Sequence, residues 1–107
     1  MMKRLLTAAV LVTAAMTTHA QQWDGVVTGK ISVIDVTGAE NYGFRVFIGG
    51  QQMCAGGSGF AFLNKSDDNY KAYVSVLMMA KAMEKTVVIF SKMVSGQCQI
   101  GYVSMQG

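Results

Sequence analysis

Proline is absent, histidine occurs once, and only two cysteines are present in a chain of 107 residues. The histidine, His19, falls in a segment with the marks of a removable leader. Lys3 and Arg4 give a basic start, Leu5 to Met16 is an apolar run, and Ala20 is the small residue before the polar Gln21 and Gln22. A signal peptide is therefore expected over residues 1–20, and no cysteine stands at the cleavage point to carry a lipid. No second apolar run approaches the roughly 20 residues that a transmembrane helix needs, so a spanning segment is not expected. Once His19 is removed with the leader, the remaining chain has no imidazole for acid–base work or metal ligation. Two cysteines without a histidine do not make a structural zinc site, and no metal or cofactor is expected. Charge is also scarce, at 14% of residues, and removing Lys3 and Arg4 leaves seven basic residues against six acidic ones. A balance that flat gives nucleic acid and anionic membranes little electrostatic hold.

What remains describes an exported protein, periplasmic or secreted. In an oxidising compartment Cys54 and Cys98 are expected to form an intramolecular disulfide. The alternatives, a reactive thiol or half of a metal site, need partners that the chain does not supply.

The β-branched stretch Val26 to Val36 predicts a first strand, with Val27, Gly29, Ile31 and Val33 on one face. Ile34 and Val36 then fall on the opposite parity, the mark of a strand that bends or bulges. A turn over Thr37 to Asn41 leads to a second strand, Tyr42 to Ile48. It places Tyr42, Phe44, Val46 and Ile48 toward the core, and Arg45 and Phe47 away from it. The glycine-rich segment around Cys54 lacks the Lys-Ser/Thr ending of a phosphate-binding loop and is read as a flexible connection to a third strand, Phe60 to Leu63. Ser66 and Asp67 are candidate helix N-caps, and Asp67 and Asp68 suit the positive end of the helix dipole. Read instead as metal ligands or an acid/base pair, the two aspartates have less to recommend them. Tyr70, Tyr73, Val74, Leu77 and Ala80 recur at helical spacing, and Val76, Met79 and Met83 widen that stripe. Thr86 to Phe90 predicts a fourth strand, Ser91 to Gln97 a loop, and Cys98 to Met105 a fifth strand with Ile100, Tyr102 and Ser104 on one face. No repeat or linker divides the chain.

Five strands with a helix between the third and fourth is the order of an OB-fold, a partly open barrel. The expected fold class is mainly β with one helix (α+β), in the order β-β-β-α-β-β, with one disulfide. It forms a single OB-like five-stranded barrel domain over residues 21–107. The chain resembles small exported bacterial OB-fold proteins, including the B subunits of AB5-type toxins of the subtilase cytotoxin group. The resemblance is carried by the leader, the early Gly29-Lys30-Ile31 strand, and Tyr42-Gly43-Phe44 with a cysteine soon after. Further along, it is carried by Ala80-Lys81-Ala82-Met83-Glu84-Lys85 before Thr86-Val87-Val88-Ile89, and by the closing Cys98-Gln99-Ile100-Gly101-Tyr102-Val103. It implies a homo-oligomer, a pentamer, and recognition of a glycan. The chain is shorter than those subunits, and their sugar-contacting residues do not map onto it one by one.

The leading functional expectation is a non-enzymatic binding module for a glycan or envelope component. Arg45 and Phe47 are its candidate contacts, because aromatic faces stack on sugars and guanidinium supplies directed donors. The competing reading packs Phe47 under the helix or a loop and leaves Arg45 solvated. Trp23, the only tryptophan, is either a third ligand contact or a cap on the barrel. The alternative function is a structural or inhibitory partner of another envelope protein, with Met78, Met79 and Met83 as the contact. An enzyme is not expected, since no carboxylate, lysine or tyrosine is grouped with a nucleophile in a recognisable spacing.

Overall fold

The computed structural model describes residues 22–107, so the leader assigned to residues 1–20 lies outside the described residues. Six strands and one helix follow in order. They are β1 (Gly25–Lys30), β2 (Val33–Val36), β3 (Phe44–Phe47), β4 (Ala61–Leu63), α1 (Tyr70–Ala82), β5 (Thr86–Val94) and β6 (Gln97–Met105). They form one sheet in the order β1-β5-β6-β4-β3-β2, antiparallel throughout except for the parallel pair β4 and β6.

Where the β-branched stretch predicts one strand over Val26–Val36, the chain makes two. Ser32 is the pivot. Its N–H donates to the carbonyl of Phe47 at 2.8 Å, its Oγ donates to the same carbonyl at 3.0 Å, and that Oγ accepts from Gly49 N–H at 3.0 Å. The chain thereby leaves the edge of β5 and joins the edge of β3. The parity slip has a direct counterpart in packing. Val27 and Ile31 are buried, Ile34 then packs on the core, and Val33 turns outward. Val36 shares the parity of Ile34, but it is 72% exposed. No ladder joins β1 to β2 among the described residues. The expected five-stranded barrel is thus observed as a six-stranded sheet with two edges.

The other departures from expectation are also local. The residues Ser91 to Gln97, expected as a loop, continue the ladder to Val94 and turn through Ser95 and Gly96, at φ 50° and 80°. Two consecutive positive φ values in a two-residue loop suit the right-handed twist of a hairpin. A register shift between Phe90 and Ser91 places Gly101 as the extra residue opposite them, since Phe90 pairs with Tyr102 and Ser91 with Ile100. Beyond it the faces exchange. Tyr102, expected to share a face with Ile100, is 52% exposed, and Val103 packs on the core.

The helix begins later than its expected caps. Its N-cap is Asn69, in the left-handed region at φ 62° with no side-chain cap bond, and its first turn holds no acidic residue. Ser66 and Asp67 are engaged elsewhere: Ser66 Oγ donates to Glu40 at 2.7 Å, and Asp67 Oδ2 accepts from Asn64 N–H at 2.8 Å. At the other end, Lys85 N–H donates to the Ala80 carbonyl and Glu84 N–H to that of Lys81, with Glu84 at φ 53°. This is the Schellman arrangement, with glutamate where glycine is the usual residue. Leu77 and Ala80 are buried, and Tyr70, Tyr73 and Val74 pack on the core from the same stripe.

The Cys54–Cys98 disulfide forms, with a Cα–Cα distance of 5.8 Å, and both residues lie within the core. It anchors the glycine-rich segment to β6. That segment contributes to the core as well as connecting, because Met53 is fully buried and its carbonyl accepts from Ser91 Oγ at 3.2 Å.

Candidate functional site

β3 alternates cleanly. Phe44 and Val46 face the core, so Arg45 and Phe47 face outward, each half-buried. Arg45 is not simply solvated: its Nε donates to the Tyr42 carbonyl at 2.8 Å and its Nη2 to the Asn41 carbonyl at 3.1 Å. Its Cζ stands 4.8 Å from the ring centroid of Phe60. That ring meets Phe47 at 5.8 Å between centroids, with planes at 56°. Phe60 thus joins the two predicted residues into one cluster on the outer face of β3. Guanidinium over an aromatic face is attracted by the ring quadrupole, and the two carbonyl bonds fix its direction. The sequence presents Phe60 only as the start of a strand. The signal available in the sequence was its parity, two residues before Phe62.

Trp23 lies elsewhere, on β6 and two strands from β3. Its ring covers Gly101, where an added Cβ would come within 2.6 Å of Trp23 Cζ3. It meets Phe90 edge-on at 5.7 Å, and Phe90 in turn lies 4.7 Å from Tyr102. The three rings make an aromatic strip on the outer face of the β5–β6 hairpin. The structure does not bring Trp23 into the Arg45 cluster.

An open cavity of about 410 Å³ is bounded by the β4–α1 connection, Tyr73 of α1, and Gln99, Ile100 and Gly101 of β6. Tyr73 donates its hydroxyl to the Gly101 carbonyl at 2.8 Å, so the bulge and the helix together close one side.

Met78, Met79 and Met83 lie on the flank of α1 that the sheet does not use, and are 54%, 50% and 55% exposed. Among the described residues no group of three histidine, cysteine, aspartate or glutamate side chains is arranged to hold a metal ion. No helix among them is long and apolar enough to cross a membrane. No family model, curated protein or solved structure matches this chain.

Proposed function

We propose that this protein is an exported, non-enzymatic binding module that recognises a glycan or envelope component in the manner of a toxin B-like subunit. The observation that carries the reading is the fixed Arg45 guanidinium stacked on Phe60 beside Phe47. Two protein carbonyls use its Nε and Nη2, so Nη1 is left to donate to a ligand oxygen while the rings offer an apolar face to a sugar. The outer face of the second and third strands is where OB-folds bind oligosaccharides and oligonucleotides, and here it corresponds to β3 and β4. The strand order supports the barrel: β1 and β2, consecutive in the chain, occupy the two edges of the sheet, as the halves of one bent strand would. The disulfide supports an oxidising compartment, periplasmic or extracellular. A pentameric homo-oligomer remains part of the proposal by resemblance.

Arg45→Ala combined with Phe47→Ala abolishes retention on a printed glycan array without unfolding the protein, which keeps a cooperative thermal transition at a midpoint lowered by the lost Arg45 bonds and Phe47–Phe60 contact. Retention at the parental level would place the site off β3.

The exposed methionines favour a second reading, a module that docks on another envelope protein through α1. Met78→Glu tests it, because a charge at this position disrupts an apolar contact without touching the core. Loss of a co-purifying protein, or of a higher oligomer in native mass spectrometry, is the expected result. An unchanged spectrum removes the residue-level support for this reading.

A further inference from the structure

The expectation of no metal, drawn from the sequence, counts imidazole, thiolate and carboxylate donors, and both cysteines are committed to the disulfide. Thioether sulfur lies outside that count. Among the described residues Met53 is fully buried and Met93 packs on the core. The exposed methionines are Met105 at the end of β6, and Met78, Met79 and Met83 toward the C-terminal end of α1.

Met83 N–H donates to the Met79 carbonyl at 2.9 Å, so the helical register runs through the cap and the two residues stand one turn apart on the same face. At that spacing their Cβ atoms are about 5–6 Å apart. Each sulfur is carried on an unbranched stem with three rotatable bonds, so the two can turn toward one ion. Met78 does not share this face. At about 100° per residue it lies about 100° around the helix from Met79 and about 140° from Met83. Lys81, the basic residue of the last turn, falls about 160° from each of the pair. The negative end of the helix dipole and the adjoining Glu84 both favour a cation beside Met83.

We propose that Met79 and Met83 form a surface site for a soft monovalent cation, with Cu(I) as the ion its chemistry selects. A thioether is a neutral, polarizable donor. Zinc, magnesium and calcium take thiolate, imidazole or oxygen ligands and are not held by it. A monovalent d10 ion accepts two soft donors in line, so a pair of sulfurs on one helical face suffices. Both residues are about half exposed, which leaves the ion open to exchange with solvent and suits capture and hand-over rather than a structural role. This site does not depend on the glycan reading, and Met78 separates it from docking through α1.

The test uses the protein purified from the export compartment without reducing agent, in chloride-free buffer, with Ag(I) as the redox-silent probe. One equivalent of Ag(I) is expected to bind, and Zn(II) is not. Met79→Leu and Met83→Leu, which keep the apolar surface, each weaken Ag(I) binding at least about tenfold in competition with a chromophoric chelator, the loss of a direct ligand costing no less than the loss of an outer-shell partner. Met78→Leu and Met105→Leu bind like the parent. In the unsubstituted protein labelled at its methionine methyl groups, the Met79 and Met83 resonances move together and saturate at one equivalent, while Met78 and Met105 stay in place. No uptake of Ag(I) by the parent overturns the site, as does parental affinity in both Met79→Leu and Met83→Leu. Equal shifts across all exposed methionines show adventitious thioether binding and overturn it too.

Discussion

Replacing Cys54 and Cys98 together with alanine lowers the thermal midpoint by at least about 10 °C in calorimetry of the non-reduced protein. The bridge spans a sequence separation of 44 residues, for which the loss of chain entropy in the unfolded state amounts to about 4 kcal/mol. In a small domain each kcal/mol moves the midpoint by about 4–8 °C, so even a partial realisation of that figure is large. The bridge also holds the segment that delivers Met53 to the core. Apart from the disulfide, this stretch is tied by a few loop bonds, including Met53 N–H to Ser58 O at 3.2 Å and Ala55 N–H to Asp24 O at 3.0 Å. These bonds keep Met53 seated when the sulfurs are removed, so the double variant should lose the crosslink and not the Met53 packing. A midpoint equal to the parent's, together with two titratable thiols in the parent, would show that the bridge does not form in solution.

The elements that were legible in the sequence are those specified by local pattern. The stripe from Tyr70 to Ala80 needs only the 3.6-residue period, and the alternation Phe44-Arg45-Val46-Phe47 needs only the period of two. The start of α1 was not legible, because its fate depends on distant groups. Ser66 is bound by Glu40, twenty-six residues earlier, and so is not free to cap. The β5–β6 hairpin carried a readable sign, the Ser95-Gly96 pair between apolar stretches, but the polar run Ser91-Lys92 obscured it. Ser91 is fully buried there, since its hydroxyl meets the Met53 carbonyl of a loop that no local rule places beside it.

The candidate site divides along the same line. Parity sends Arg45 and Phe47 outward from sequence alone. What fixes Arg45 is the left-handed Tyr42, at φ 55°, which turns its carbonyl toward the guanidinium. Phe60 reaches the cluster from the neighbouring strand, one residue before β4. The bulge at Gly101 is similar. An isolated glycine in a strand pattern hints at one. Only the fold, however, reveals that the Trp23 ring occupies the space its missing side chain leaves and that Tyr73 uses its carbonyl.

Gly25→Ala is expected to destabilise the protein by about 3 kcal/mol or more, read as a shift in urea midpoint, and removing the disulfide should not relieve it. An added Cβ at Gly25 would stand 2.1 Å from the Met53 carbonyl oxygen and 2.6 Å from Cys54 Cα, both backbone atoms. Neither strand nor loop has room to yield. Asp24 ties the two together, donating its N–H to Ser91 O at 2.9 Å, accepting from Ala55 N–H through its carbonyl, and accepting from Met93 N–H through Oδ2 at 2.8 Å. Gly57 approaches the same half-cystine from the other side but meets different atoms. Its added Cβ would lie 2.3 Å from Cys98 Sγ and 2.4 Å from Cys54 Sγ. Gly57→Ala should therefore be costly in the parent and nearly neutral in the Cys54→Ala/Cys98→Ala background, where both sulfurs are gone. Gly25→Ala should cost the same in both. Two parallel thermodynamic cycles measure the difference, and equal coupling of the two glycines to the disulfide would contradict the proposed seating of Cys54 between a backbone contact at Gly25 and a sulfur contact at Gly57.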